Sequence, residues 1–323
     1  MTDDLRARAP ETAAPAPRGG DAPSAVLPAE EAGHAEILAR SQWQLFRRKF
    51  LRHKAAMVSI VVLTAIVLAA IFAEQVAPYG FNEINVLDRG IRPTVENQHF
   101  FGTDRLGRDY FSRVVFGMRT SLLVGGLVAL LSTAVGTVIG AIAGFYRGWV
   151  DAILMRMTDL VLILPGLAVL LVAAALLGGG DPIKVGFILA GLIWVQLARI
   201  VRGTFLSLRE KEYIEAARAS GAGDLRIMFR HMLPNSMGPI IVNATLVVAT
   251  AILIEATLSF LGFGVQPPRP ALGALINDGR SAMTTDWWLV VMPGLTLVAI
   301  CLCVNFIGDG LRDALDPTQQ ETV

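Results

Sequence analysis

Six stretches of this sequence are too long, too apolar and too poor in charge to be the inside of a water-soluble domain. Ala55 to Ala73 is about 19 residues without a single ionisable side chain. At ~1.5 Å per residue a helix of that length crosses a hydrocarbon core of ~30 Å. The others run over Leu122–Phe145, Leu160–Leu177, Val185–Ala198, about Gly238–Leu261 and about Leu289–Ile307, the fourth being short and extended by its flanks. In lipid every backbone polar group must be bonded within the chain, and segments of this length do so as helices. The expected fold is therefore all-α, a polytopic membrane bundle of about six transmembrane helices. Composition agrees, with 54% of the 323 residues hydrophobic and 17% charged. A formal net charge of +1 gives no field that would gather nucleic acid.

The segments between the spans set the expected organisation. Residues 1–40 carry Pro10, Pro15, Pro17, Pro23 and Pro28 among Ala and charges, which predicts a disordered tail without the apolar core of a signal peptide. From Ser41 to Lys54, Trp43, Phe46, Phe50 and Leu51 alternate with Arg47, Arg48, Lys49, Arg52 and Lys54. This predicts an amphipathic helix on anionic lipid, and its positive charge places the N-terminus in the cytoplasm. Residues 41–73 are thus a surface helix plus the first span. Residues 74–121 form an extracytoplasmic loop, turn-rich around Asp104 and leading into a short helix along the membrane. Residues 122–308 hold five further helices, with a cytoplasmic loop over 199–238, and 309–323 form a second cytoplasmic tail. Gly136, Gly140 and Gly144 make a small-xxx-small ridge for close helix packing. Trp287 and Trp288 suit an interfacial belt. Cys301 and Cys303 point different ways on a helix and read as small packing residues.

One polar island interrupts the apolar pattern, from Glu212 to Asn235. Ala216, Ala217 and Ala219 favour a helix there, Gly221 reads as its stop, and Asp224 as the cap of a second short helix ended by Pro234. By its residues alone the island is either a docking surface or a solvated loop laced with i,i+4 ion pairs.

Glu215-Ala216-Ala217, then Gly221, His231 and Leu233-Pro234 at their distances, resemble the EAA motif of ABC importer permeases; the general pattern has an aliphatic residue where His231 stands. The resemblance implies the type I permease fold of these importers. It also implies a coupling helix seated in a cytoplasmic ATPase, with Tyr213, Glu215, Ala216, Ala217, Ser220, Gly221, Asp224, Leu233 and Pro234 at the joint. Glu215 would there pair with a basic group or cap backbone donors. Phe101-Gly102-Thr103-Asp104-Arg105-Leu106-Gly107-Arg108-Asp109 and Ala73 through Tyr79 resemble the peptide and nickel branch, in the partner type with an additional N-terminal span, commonly called the DppC or OppC type. The implied partners are a second homologous permease, two cytoplasmic ABC ATPases, an extracytoplasmic substrate-binding protein and membrane lipid. The implied setting is the bacterial inner membrane with both termini inside.

No nucleotide-binding or metal-binding motif is present. There is no Gly-Lys-Ser/Thr phosphate loop, and His34, His53, His99 and His231 are scattered. ATP and magnesium would enter only through partner subunits, and the chain itself needs no cofactor. Among span residues Glu255 stands out, since an ionisable group at membrane depth is costly. It either points into a translocation path or outer gate, or lies at the outer headgroups of a span that ends early. Asn243 and Asn305 are further path candidates, better suited to bonding between helices. A secondary transporter driven by an ion gradient is the alternative class, and would want paired acids in the spans. Nickel chelates are the alternative cargo within the branch.

Overall fold

The computed structural model describes residues 42–315, and these are mostly helical, with a long irregular loop over 77–109 and isolated bridges and turns elsewhere. The expected N-terminal tail and the last part of the C-terminal tail lie outside the described residues. Helix α1 (Gln42–Arg52) stacks Phe46 on Phe50 with centroids 5.9 Å apart. Helix α2 (Lys54–Ile71) follows, its first turn closed by the Ala56 N–H donating to His53 Nδ1 at 3.0 Å. A short turn, α3 (Ala73–Val76), leads into the long loop.

Helix α4 (Tyr110–Tyr146) is 37 residues long. The short membrane-surface helix expected after the loop is its first turns. Asp109 caps it by accepting the Ser112 N–H at 2.7 Å, and no residue up to Tyr146 lacks a backbone donor, so the ladder never breaks. Helices α5 (Gly148–Ile163) and α6 (Gly166–Leu177) replace the expected cytoplasmic link and straight third span. They meet at 87°, because Leu164 precedes Pro165 and is extended, a conformation that ends helices. Arg147, just before the pair, bonds Glu210 at 2.5 Å, whereas Gly180, just after it, bridges Val265 beyond the last turn of the fifth span. The pair therefore links the two ends of the bundle and counts as one broken crossing, which makes six.

Helix α7 (Pro182–Arg209) begins on Asp181, which accepts the Ile183 N–H at 2.8 Å. Helices α8 (Glu212–Ala219) and α9 (Asp224–Arg226) form the island. A π-helical stretch, Ile227–Met232, carries α9 into α10 (Leu233–Phe260). Pro234 thus does not end a helix. The wider π register, with the Leu233 N–H donating to Met228 O, brings the chain past a residue that has no N–H to give. Helix α11 (Leu272–Arg280) precedes α12 (Trp288–Leu315), which runs on past Ile307, so that residues 309–315 are helix rather than free tail.

Packing follows the small residues. A Cβ on Gly136, Gly140 or Gly144 would stand 2.7, 2.3 or 2.6 Å from atoms of α7. The glycine ridge is thus a tight seam between α4 and α7, where lipid supplies no hydrophobic drive and close contact must do so. Arg202 adds a two-pronged bond to Asp151 at 2.5 and 2.6 Å, tying α7 to α5. At the end opposite the island, Trp288 is buried and donates its Nε1 proton to Thr103 O at 3.2 Å; Trp287 alone keeps the exposure of an interfacial residue. Cys301 and Cys303 are free and buried.

Candidate functional site

The island is a short helix, an elbow and the start of a long helix. An eight-residue helix has little stability of its own in water. What holds α8 is Ile214, its one buried residue, which enters a cluster with Phe145, Val201, Phe205, Ile227 and Met232. The ends of α4, α7 and α10 thus share one apolar knot with the island. Arg209 reinforces it by donating from Nη1 to Phe145 O at 2.6 Å.

The elbow is a Schellman turn. The Ala222 N–H donates to Ala217 O at 3.1 Å and the Gly221 N–H to Arg218 O at 3.0 Å, with Gly221 at φ +80°. No atom lies within 4 Å of where a Cβ would stand on Gly221, so the backbone dihedral, not space, calls for glycine there. Asp224 does not cap the second helix. Gly223 holds the cap position, and Asp224 sits in the first turn, where its charge still suits the helix dipole.

The outward face carries charge without internal partners. Tyr213, Glu215, Ala216, Ser220, Asp224 and Pro234 are exposed, while Ala217 and Leu233 are half-buried. Among the described residues Glu212, Glu215, Arg218, Asp224, Arg226 and Arg230 form no ion pair with one another or with the rest of the chain. The reading as a loop laced with i,i+4 pairs does not hold. Ala217, Ser220, Arg226, Arg230 and His231 border a surface hollow of about 450 Å³. Three basic side chains around one concavity suit an acidic contact from another protein.

Above the island an apolar groove of about 910 Å³ runs between α4 and the π-to-α10 segment. Its polar side chains are Thr133, Thr137, Thr245 and Tyr146, and Thr133 Oγ1 and Thr137 Oγ1 have no hydrogen-bond partner. Sequence reasoning passed over these threonines because a hydroxyl inside an apolar run carries no charge to draw attention.

Glu255, Asn243 and Asn305 do not line this groove. Glu255 is fully buried between α4 and α10, accepting from Ser121 Oγ at 2.8 Å and Ser259 Oγ at 2.6 Å. It does not face the groove; it joins two helices. Ser259 in turn accepts the Val265 N–H at 3.1 Å, which extends the joint into the following loop. Asn243 and Asn305 make no side-chain hydrogen bond among the described residues, and Asn243 Oδ1 is buried without one.

At the opposite end, the Phe101–Asp109 segment proves architectural. Asp104 accepts from the Leu106 and Arg108 N–H groups at 2.8 and 2.9 Å, from Arg108 Nε at 2.6 Å and from Arg113 Nη1 at 3.2 Å. The Tyr110 hydroxyl lies 2.9 Å from Leu275 O and 2.7 Å from Leu289 O, fastening α4 to α11 and α12. His99, buried, stacks on Tyr79 and bonds Asp109 at 2.8 Å.

Comparison with known proteins matches residues 136–320 to a family described as binding-protein-dependent transport system inner membrane component. Residues 41–97 match the N-terminal transmembrane domain of oligopeptide transport permease C. The chain is 41% identical over 283 residues to an oligopeptide transport system permease protein OppC of Haemophilus influenzae, covering 87% of this chain and 90% of that one. It is 40% identical to a dipeptide transport system permease protein DppC of Alkalihalophilus pseudofirmus, over 87% and 92%. A putative peptide permease protein of Brucella suis is 44% identical over 83% and 89%.

Proposed function

This chain belongs to the binding-protein-dependent inner-membrane permeases, in the oligopeptide permease C type, and from that premise we propose how its parts divide the work of an ATP-driven importer of peptides or peptide-like solutes. The chain forms half of the translocation path. A second, homologous permease forms the other half and closes the groove bearing Thr133 and Thr137. Two ATPase subunits, which bring ATP and magnesium, grip the island from the cytoplasm. A receptor outside the membrane delivers the solute. Both termini lie inside, as the basic residues before α2 favour.

The observation that carries this reading is the island itself. Its inner side is locked into the bundle through Ile214, Ile227 and Met232, and its outer side keeps its charges unpaired and exposed. Such a part passes on a push from a foreign motor, because it is rigid towards the membrane and adhesive towards water. The reading as an ion-driven carrier loses its best residue, since both oxygens of Glu255 already accept hydrogen bonds inside a helix joint. Peptide cargo is favoured over nickel chelates by the names of the relatives.

Ala216→Cys, in a chain whose own Cys301 and Cys303 are replaced by serine, tests the arrangement. A membrane-impermeant maleimide should label it in inside-out vesicles and not in intact spheroplasts, and assembly with the ATPases should block labelling. Labelling from outside, or labelling unaffected by the ATPases, would refute the joint.

A further inference from the structure

We propose that a cavity at the end of the bundle opposite the island, walled by the Pro267–Pro270 turn, is a subsite for the carboxyl terminus of a short peptide, held by Arg108 and Arg113. The proposal rests on the peptide reading above. The cavity has a volume of about 340 Å³. That is the small end of ligand sites, ~300–1,000 Å³, and suits the end of a peptide rather than a long one.

Arg113 supplies the main argument. It sits in the first turns of α4 with its side chain 7% exposed. A guanidinium has five protons to give. Here only Nη1 makes a hydrogen bond, to Asp104 at 3.2 Å. Its Nε is buried without a partner. Its Nη2 lies 3.6 Å from Asp278, within ion-pair range but beyond a hydrogen bond. Asp104 cannot supply more, because it already accepts from two backbone N–H groups and from Arg108. The Nε of Arg113 and its loosely held Nη2 thus keep hydrogen-bonding capacity unused beside the cavity, and a carboxylate is the group that meets a guanidinium with two-pronged geometry.

The remaining lining suits the rest of a peptide end. Asn82 and Asn277 offer amides to its backbone. Asp278, 55% exposed, stands where an ammonium could reach it in a dipeptide. Pro267, Pro268 and Pro270 have fixed φ angles, so that wall is shaped before the ligand arrives. Ser259 also borders the cavity, and its hydroxyl donates to Glu255. Occupation would therefore be felt at the joint between α4 and α10. A peptide is favoured over an acidic side chain of the receptor because Arg113 is buried in the wall of a concavity rather than raised on the surface.

The test uses the full chain in nanodiscs without receptor, probed by saturation-transfer NMR with Ala-Ala, and with its C-terminal amide as the control. Ala-Ala should bind saturably and the amide at least tenfold more weakly. Asn277→Trp, which fills the cavity without touching the Asp104 bonds, should weaken Ala-Ala at least tenfold, as should Arg108→Gln. Equal binding of acid and amide, or no saturable binding of either, would overturn the subsite. So would loss of receptor-stimulated ATP hydrolysis in Asn277→Trp when the isolated chain binds no Ala-Ala, which would give the cavity to the receptor. Ala-Ala uptake by the assembled transporter, measured in parallel, tests the parent reading. Uptake without carboxylate preference at the cavity sinks the subsite alone, and absence of uptake sinks both.

Discussion

Replacing Ile214 by alanine is the sharpest probe of how the island is held. Ile214 is 0% exposed and is the one buried side chain of α8. Trimming a buried isoleucine to alanine costs about 2–5 kcal/mol, from lost transfer energy and the void left behind. Almost all of that loss falls on α8, because a helix of eight residues has no reserve of its own. At ~1.4 kcal/mol per factor of ten, backbone opening of the segment should speed up about 30- to 4,000-fold. Hydrogen–deuterium exchange of the chain in nanodiscs reads this directly. Peptides covering 212–222 should exchange faster by that range, while those from the middle of α10 should not change. The assembled transporter should then hydrolyse ATP with little transport. Unchanged exchange at 212–222 would refute the reasoning, since it would mean that something other than this contact fixes the island.

Gly221→Val should uncouple transport from hydrolysis while leaving membrane insertion intact, because a β-branched residue at φ +80° is strained by about 1–2 kcal/mol; Gly221→Asn should keep most transport, and equal behaviour of the two in a proteoliposome uptake assay would refute the dihedral argument. Gly140→Leu should destabilise the chain by about 1–3 kcal/mol or more, because even its Cβ would meet Ala198 O at 2.3 Å, whereas Gly126→Leu, with nothing within 4 Å, should be tolerated; thermal unfolding in detergent compares them. Glu255→Leu strips the acceptor from Ser121 and Ser259 and should cost about 1–3 kcal/mol per hydroxyl left unpaired, while Glu255→Gln should cost less, again by thermal unfolding.

The spans were legible because apolar length is a one-dimensional signal. The elbow was legible for the same kind of reason, since a glycine after an alanine-rich helix is a local cue, and the Schellman bonds of Ala222 and Gly221 form within that same segment. What a string of residues conceals is distance across the fold. Nothing near Trp288 announces that its indole proton meets Thr103, 185 positions earlier. Nor does anything near Glu255 announce its partner Ser121, 134 positions away. Pro234 misled for another reason: its missing N–H is absorbed by a change of helical register that composition does not signal. Thr133 and Thr137 became visible only once the groove placed them on one wall.

The unbroken run from Asp224 to Phe260 has a mechanical corollary. Thirty-seven residues make a rod of about 55 Å. One tip of that rod stands beside the elbow at Gly221, and the other carries Ser259 and the threshold of the proline-walled hollow. A crank turned at the inner tip is therefore delivered as torque at the outer one, with two weak points between, the loosely wound coil at Ile227–Met232 and the hydrogen bond missing at Pro239. That coil is where a twist could be stored or let slip.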